Sequence, residues 1–167
     1  MATDVPRVGS DASADDVKAA LRERGFAPSF WIGGFGQYAQ DVLNPASDLY
    51  AHSPDIVVLH LDGEDLFHEL LKNPFASRSE ARREHAKGLA EQLASLVGML
   101  SARLPKTTII VNTVAVQPLG ALTGLQYNSE FGIQDAVDEY NQAVGRMAEG
   151  NLSVVVLDVA GLIAWSG

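Results

Sequence analysis

The sequence predicts an α/β protein: a three-layer, doubly wound sheet of about five parallel strands with helices on both faces. Three observations point there. Short apolar runs rich in β-branched residues alternate with longer stretches of helical period. The strongest run, Ile56, Val57, Val58, Leu59 and Leu61, is almost unbroken, as a strand covered on both faces requires. Each run ends in a polar turn followed by a helical pattern, so the connections are expected to be right-handed crossovers.

With 167 residues the chain can build one domain, expected to span 1–167, around a real core. Its formal net charge of −9 argues against nucleic acid or an anionic membrane as the main partner, since both need a basic surface. The chain has 0 cysteines, which excludes disulfides, thiolate metal sites and a cysteine nucleophile. No apolar run approaches the length of a membrane span, and the start MATDVPRV lacks a signal peptide's apolar core. A cytoplasmic location is the expectation.

Val5 to Gly9 is expected to be a short first strand, with Pro6 at its beginning. A turn follows, and Ser13 caps a helix whose first turn carries Asp15 and Asp16, where they complement the dipole. Val17, Ala20 and Leu21 face inward, and Gly25 stops the helix after about Arg24. Phe30-Trp31-Ile32 is expected as the second strand. The glycine loop Gly33-Gly34-Phe35-Gly36-Gln37 follows it, then a short amphipathic piece to about Leu43. The loop matches no phosphate-binding motif. Asn44-Pro45-Ala46-Ser47 is turn chemistry.

The central strand ends in Asp62-Gly63-Glu64-Asp65, and Glu64 to Leu71 makes a helix broken near Asn73-Pro74. Ser77 with Glu80 spells a capping box, with Ser79 as the rival cap, for a long helix to about Leu104. Leu89, Leu93, Leu96, Val97, Leu100 and Leu104 form its apolar face. Thr107 to Val114 is the fourth strand, Gln117 to Glu130 a loop, and Ile133 to Ala148 a helix. Ala136, Val137, Tyr140, Val144 and Met147 lie on the inner face of that helix. Leu152 to Leu157 is the fifth strand, terminated by Asp158.

Open α/β sheets bind ligands beyond the carboxyl ends of their strands. Those ends offer Ser10, Asp11 and Ser13; Gly33, Gly34, Gly36 and Gln37; Asp62, Glu64 and Asp65; Asn112 and Thr113; and Asp158. Asp62 reads equally as a helix cap. Arg78, Arg82, Arg83 and Lys87 are the one basic concentration in an acidic chain. They read either as a solvated helix face or as a docking surface for an acidic partner. No metal site is expected.

A serine after the first strand, a glycine loop after the second and a Gly-x-Asp turn after the third resemble the SGNH (GDSL-type) hydrolases, whose sheet is flavodoxin-like. In that family the serine is the nucleophile, a glycine and an asparagine donate to the oxyanion, and a C-terminal Asp-x-x-His pair supplies the base. Here Ser10 is the candidate nucleophile, with Asp65 and Asp158 as candidate catalytic acids. Glu64 stands near the place of the asparagine, and Val159, Ala160 and Gly161 follow Asp158 without a histidine. His52, His60, His68 and His85 all lie mid-chain.

A closer resemblance rests on Ser10-Asp11-Ala12-Ser13, Phe35-Gly36-Gln37-Tyr38, the run from Leu43 to Tyr50, Pro54 to Leu59, Glu139-Tyr140-Asn141 and Val156-Leu157-Asp158. These look like the N-terminal, SGNH-like domain of FkbH-like proteins. The resemblance implies a following HAD-type domain, whose Asp-x-Asp nucleophile motif is absent from these residues. Such proteins take a glyceryl group from 1,3-bisphosphoglycerate and load it as a thioester on an acyl carrier protein in polyketide-type pathways. This domain itself is then expected to need no cofactor. Phosphopantetheine would sit on the carrier protein and magnesium in the HAD-type domain. Three roles follow: acyl handling or carrier-protein docking, a self-sufficient esterase or acyltransferase using Ser10, with Ser13 as the second choice, or a non-catalytic scaffold.

Overall fold

The computed structural model describes residues 14–34, 36–74, 76–117 and 129–166. Contacts divide the chain into two compact units, Met1–Ile32 and Gly33–Gly167. In the first unit, α1 (Ala14–Glu23) is the expected helix. It ends as Gly25 implied: Phe26 N–H donates to Leu21 O at 3.0 Å and Gly25 N–H to Arg22 O at 2.9 Å, the paired bonds of a Schellman stop. Lys18 pairs with Asp15 at 3.1 Å and lies 5.4 Å from the Phe30 ring centroid. The expected strand Val5–Gly9 lies outside the described residues. Phe30–Ile32 forms no strand. Three apolar residues between Pro28 and Gly33-Gly34 are too short and too flexibly flanked to hold a ladder.

The second unit contains a three-stranded parallel sheet, not five strands, among the described residues. Its order is β1 (Ile56–Leu59), β2 (Thr108–Asn112), β3 (Val154–Leu157). Register pairs Val58 with Ile110 and Ile110 with Val155. α2 (Tyr38–Leu43), α3 (Asp48–His52), α4 (Gly63–Leu66) and α5 (His68–Lys72) precede the long α6 (Ser79–Arg103). α7 (Ile133–Met147) joins β2 to β3, and α8 (Val159–Ser166) follows β3. Arg78, not Ser77 or Ser79, occupies the N-cap of α6. The Ser77 hydroxyl instead accepts from Arg82 Nε at 3.1 Å. The helix expected over Glu64–Leu71 breaks at Phe67, which is wholly buried and edge-on to His85 and Tyr140 at 5.8 and 5.9 Å.

Among the described residues of the second unit, the core lies on one face of the sheet. Val57, Leu59, Ile109, Val111 and Val154 are buried beneath Ala86, Leu93, Val97 and Leu100 of α6 and Val137, Tyr140 and Val144 of α7. The opposite face of the sheet, expected to be covered as well, carries Ile56, Val58, Val155 and Leu157 exposed. At the far end of α6, Arg103 donates to Val42 O at 2.8 Å and Leu43 O at 3.3 Å, the last carbonyls of α2, where a cation also meets the helix dipole. No described helix is long and apolar enough to cross a membrane.

Candidate functional site at the strand ends

The carboxyl ends of the three strands are held together by two asparagines acting as peptide surrogates. Asn112 closes β2. Its Nδ2 donates to Leu61 O at 2.9 Å and to Thr113 O at 2.9 Å, while its Oδ1 accepts from Leu61 N–H at 2.8 Å. The side chain thereby continues the β1 ladder two residues past Leu59. Asn141 does the same from α7, accepting from Val114 N–H and donating to Val114 O, both at 2.8 Å. Every polar arm used here is satisfied, so the segments after β1 and β2 leave the sheet in fixed positions.

Between these clamps the chain passes very close to itself. A Cβ added to Gly63 would lie 2.2 Å from the Ala115 carbonyl oxygen, so only glycine fits where the post-β2 segment crosses α4. Asp62 caps α4, its Oδ1 accepting from Glu64 N–H at 2.8 Å and Asp65 N–H at 3.1 Å. Glu64 and Asp65 are exposed and point no polar atom into the core.

At the end of β3, Asp158 Oδ1 accepts from Thr113 Oγ1 at 2.9 Å and Gly161 N–H at 3.0 Å, and Thr113 Oγ1 accepts from Ala160 N–H at 3.0 Å. The Gly161 backbone bond, then the Thr113 hydroxyl, hold the Asp158 carboxyl below its ordinary value. Asp158 is thus the cap of α8.

The structure brings Asp62, Glu64, Asp65, Asn112 and Asp158 to one end of the sheet. Asn112 and Asp62 are engaged with backbone there and leave no arm for a substrate oxyanion. Gly34 and Gly36 form a tight turn in which Gln37 N–H donates to Gly34 O at 3.0 Å, and the Gln37 side chain folds back over Gly34. Ser10, Asp11 and Ser13 lie outside the described residues. Among the histidines, His85 Nε2 donates to Leu66 O at 3.2 Å, and His68 pairs with Glu69 at 3.5 Å. Neither is bonded to Asp158, so no serine-type base and orienting acid are assembled among the described residues. No described group of three or more His, Asp or Glu side chains could hold a metal ion.

Of the four basic residues, Arg82 is buried. Its guanidinium donates to Pro74 O and Phe131 O, both at 2.8 Å, besides the Ser77 hydroxyl. It staples the start of α6 to the residue preceding α7's cap. Arg78 and Lys87 are exposed, and Arg83 lies 4.4 Å from the Phe131 ring centroid and 3.5 Å from Glu80. Asn141 was not among the expected site residues. Its signal is an amide at the i+4 position from Val137, interrupting the apolar stripe of α7.

No protein-family model matches the chain, and no curated protein matches it in sequence. The solved structure of the N-terminal part of the protein BF1531 from Bacteroides fragilis, containing a phosphatase domain complexed with Mg, superposes with a TM-score of 0.72 at 14% identity. The chain shares its fold with that protein. The match covers 90% of this chain and 38% of the BF1531 chain. BF1531 therefore carries, alongside the shared α/β unit, more than half its length outside the match.

Proposed function

We propose that this chain is the acyl-handling or carrier-docking domain of an FkbH-like glyceryl-loading system. Its partners would be a HAD-type domain and an acyl carrier protein. The phosphoryl chemistry on 1,3-bisphosphoglycerate belongs to the HAD-type domain, and with it any magnesium. The observation that carries the reading is the fold shared with the N-terminal part of a protein that contains a phosphatase domain. A strand-end site whose Asn112 and Asp62 hold backbone, and whose Asp158 has no histidine bonded to it, supports handling or docking over self-sufficient hydrolysis. The exposed cations Arg78 and Lys87 and the half-exposed Arg83 suit an acidic carrier, and Arg82 positions the helix that presents them.

Intact-mass spectrometry of the chain incubated with glyceryl-loaded carrier protein, beside a Ser10→Ala control, tests this directly. Expected is no acyl adduct on the chain, with carrier binding that weakens at least about tenfold when Arg83 and Lys87 are both changed to Glu. An adduct lost in Ser10→Ala would make the chain an acyltransferase or esterase instead. Neither adduct nor binding would leave a scaffold.

A further inference from the structure

We draw no further inference here: the strongest candidate, the alanine-floored groove between α6 and α7, is a stripe of small residues whose rim balances Lys87 and Arg146 against Glu91 and Glu139, so that its charge selects no partner and nothing in the structure shows what covers it.

Discussion

Two buried polar side chains of the same core make opposite predictions. Asn112 is 3% exposed and pairs both backbone groups of Leu61. Removing it strands a buried N–H and a buried C=O, so Asn112→Ala should destabilise by about 2–4 kcal/mol. Tyr140 is 1% exposed and its hydroxyl has no hydrogen-bond partner among the described residues. Burial, and then the neighbouring Tyr38, push that phenol well above its ordinary value, so it stays neutral through the alkaline range. Tyr140→Phe removes an unsatisfied polar atom and keeps the edge contact with Phe67. It should be neutral or stabilising by up to about 1 kcal/mol. Urea melts of the two variants check both signs. The contrast also shows what a sequence hides at this scale. Asn112 was visible as a polar residue closing an apolar run, but whether such a side chain faces a cleft or the next strand depends on where β1 stops. Asp158 was legible as a strand terminator and Thr113 as a residue at the end of its own strand, but the bond between them and the one from Gly161 were not. Its carboxyl is held below the ordinary 3.8, so the anion favours the folded state. That contribution is fully present above pH 3.8 and is lost as pH falls through the lower folded value. Asp158→Asn should therefore be less stable than the parent at pH 7, and the gap should close in acid unfolding below pH 3.8.

At the scale of elements, the three apolar runs before Asp62, Thr113 and Asp158 were legible because continuous β-branched sequence has few other uses. The ends of α6 and α7 were legible to within a few residues for a similar reason: a long apolar stripe at helical spacing fixes a helix by its buried face. The short α3 and α8 were not expected. α3 has five residues, and what defines it is the Ser47 hydroxyl accepting from Leu49 N–H at 3.2 Å. α8 depends on the Asp158 cap formed across the sheet end. The start of α6 could not be placed from its serines, because an arginine decides it. Arg82 ties the 74–78 segment, α6 and Phe131 together by three donated bonds. Arg82→Met keeps the aliphatic bulk and leaves the buried Pro74 carbonyl and the part-buried Phe131 carbonyl unpaired. We expect a loss of about 2–4 kcal/mol in guanidinium unfolding, against less than about 0.5 kcal/mol for the exposed Arg78→Met. Similar losses for both would mean that the three bonds contribute nothing beyond surface packing.

For the whole molecule, charge is the property the sequence states most directly and the fold modifies least. Of 33 ionisable acids and bases at pH 7, 21 are acidic and 12 basic. The three Lys or Arg ion pairs seen among the described residues are surface pairs at 3.1–4.0 Å, worth little each, and all three join residues one helical turn apart. Among the described residues the one deeply buried cation, Arg82, donates to carbonyls and a hydroxyl and not to a carboxylate. Attraction between unlike charges therefore offsets little of the repulsion among the surplus carboxylates, which is greatest in the compact state. Salt should act on the repulsion first, because it works over longer distances: the screening length falls from about 30 Å at 0.01 M to about 10 Å at 0.1 M. Raising sodium chloride across that range at pH 7 should raise the melting temperature by roughly 2–4 °C, the shift that about 1 kcal/mol gives in a domain of this size. Calorimetry at a fixed low protein concentration separates this from association, because screening acts equally on a single copy. A melting temperature that falls with salt would mean that the surface pairs outweigh the net charge. In that case the carboxylates are spaced widely enough over the surface for a charge of −9 to be borne without strain.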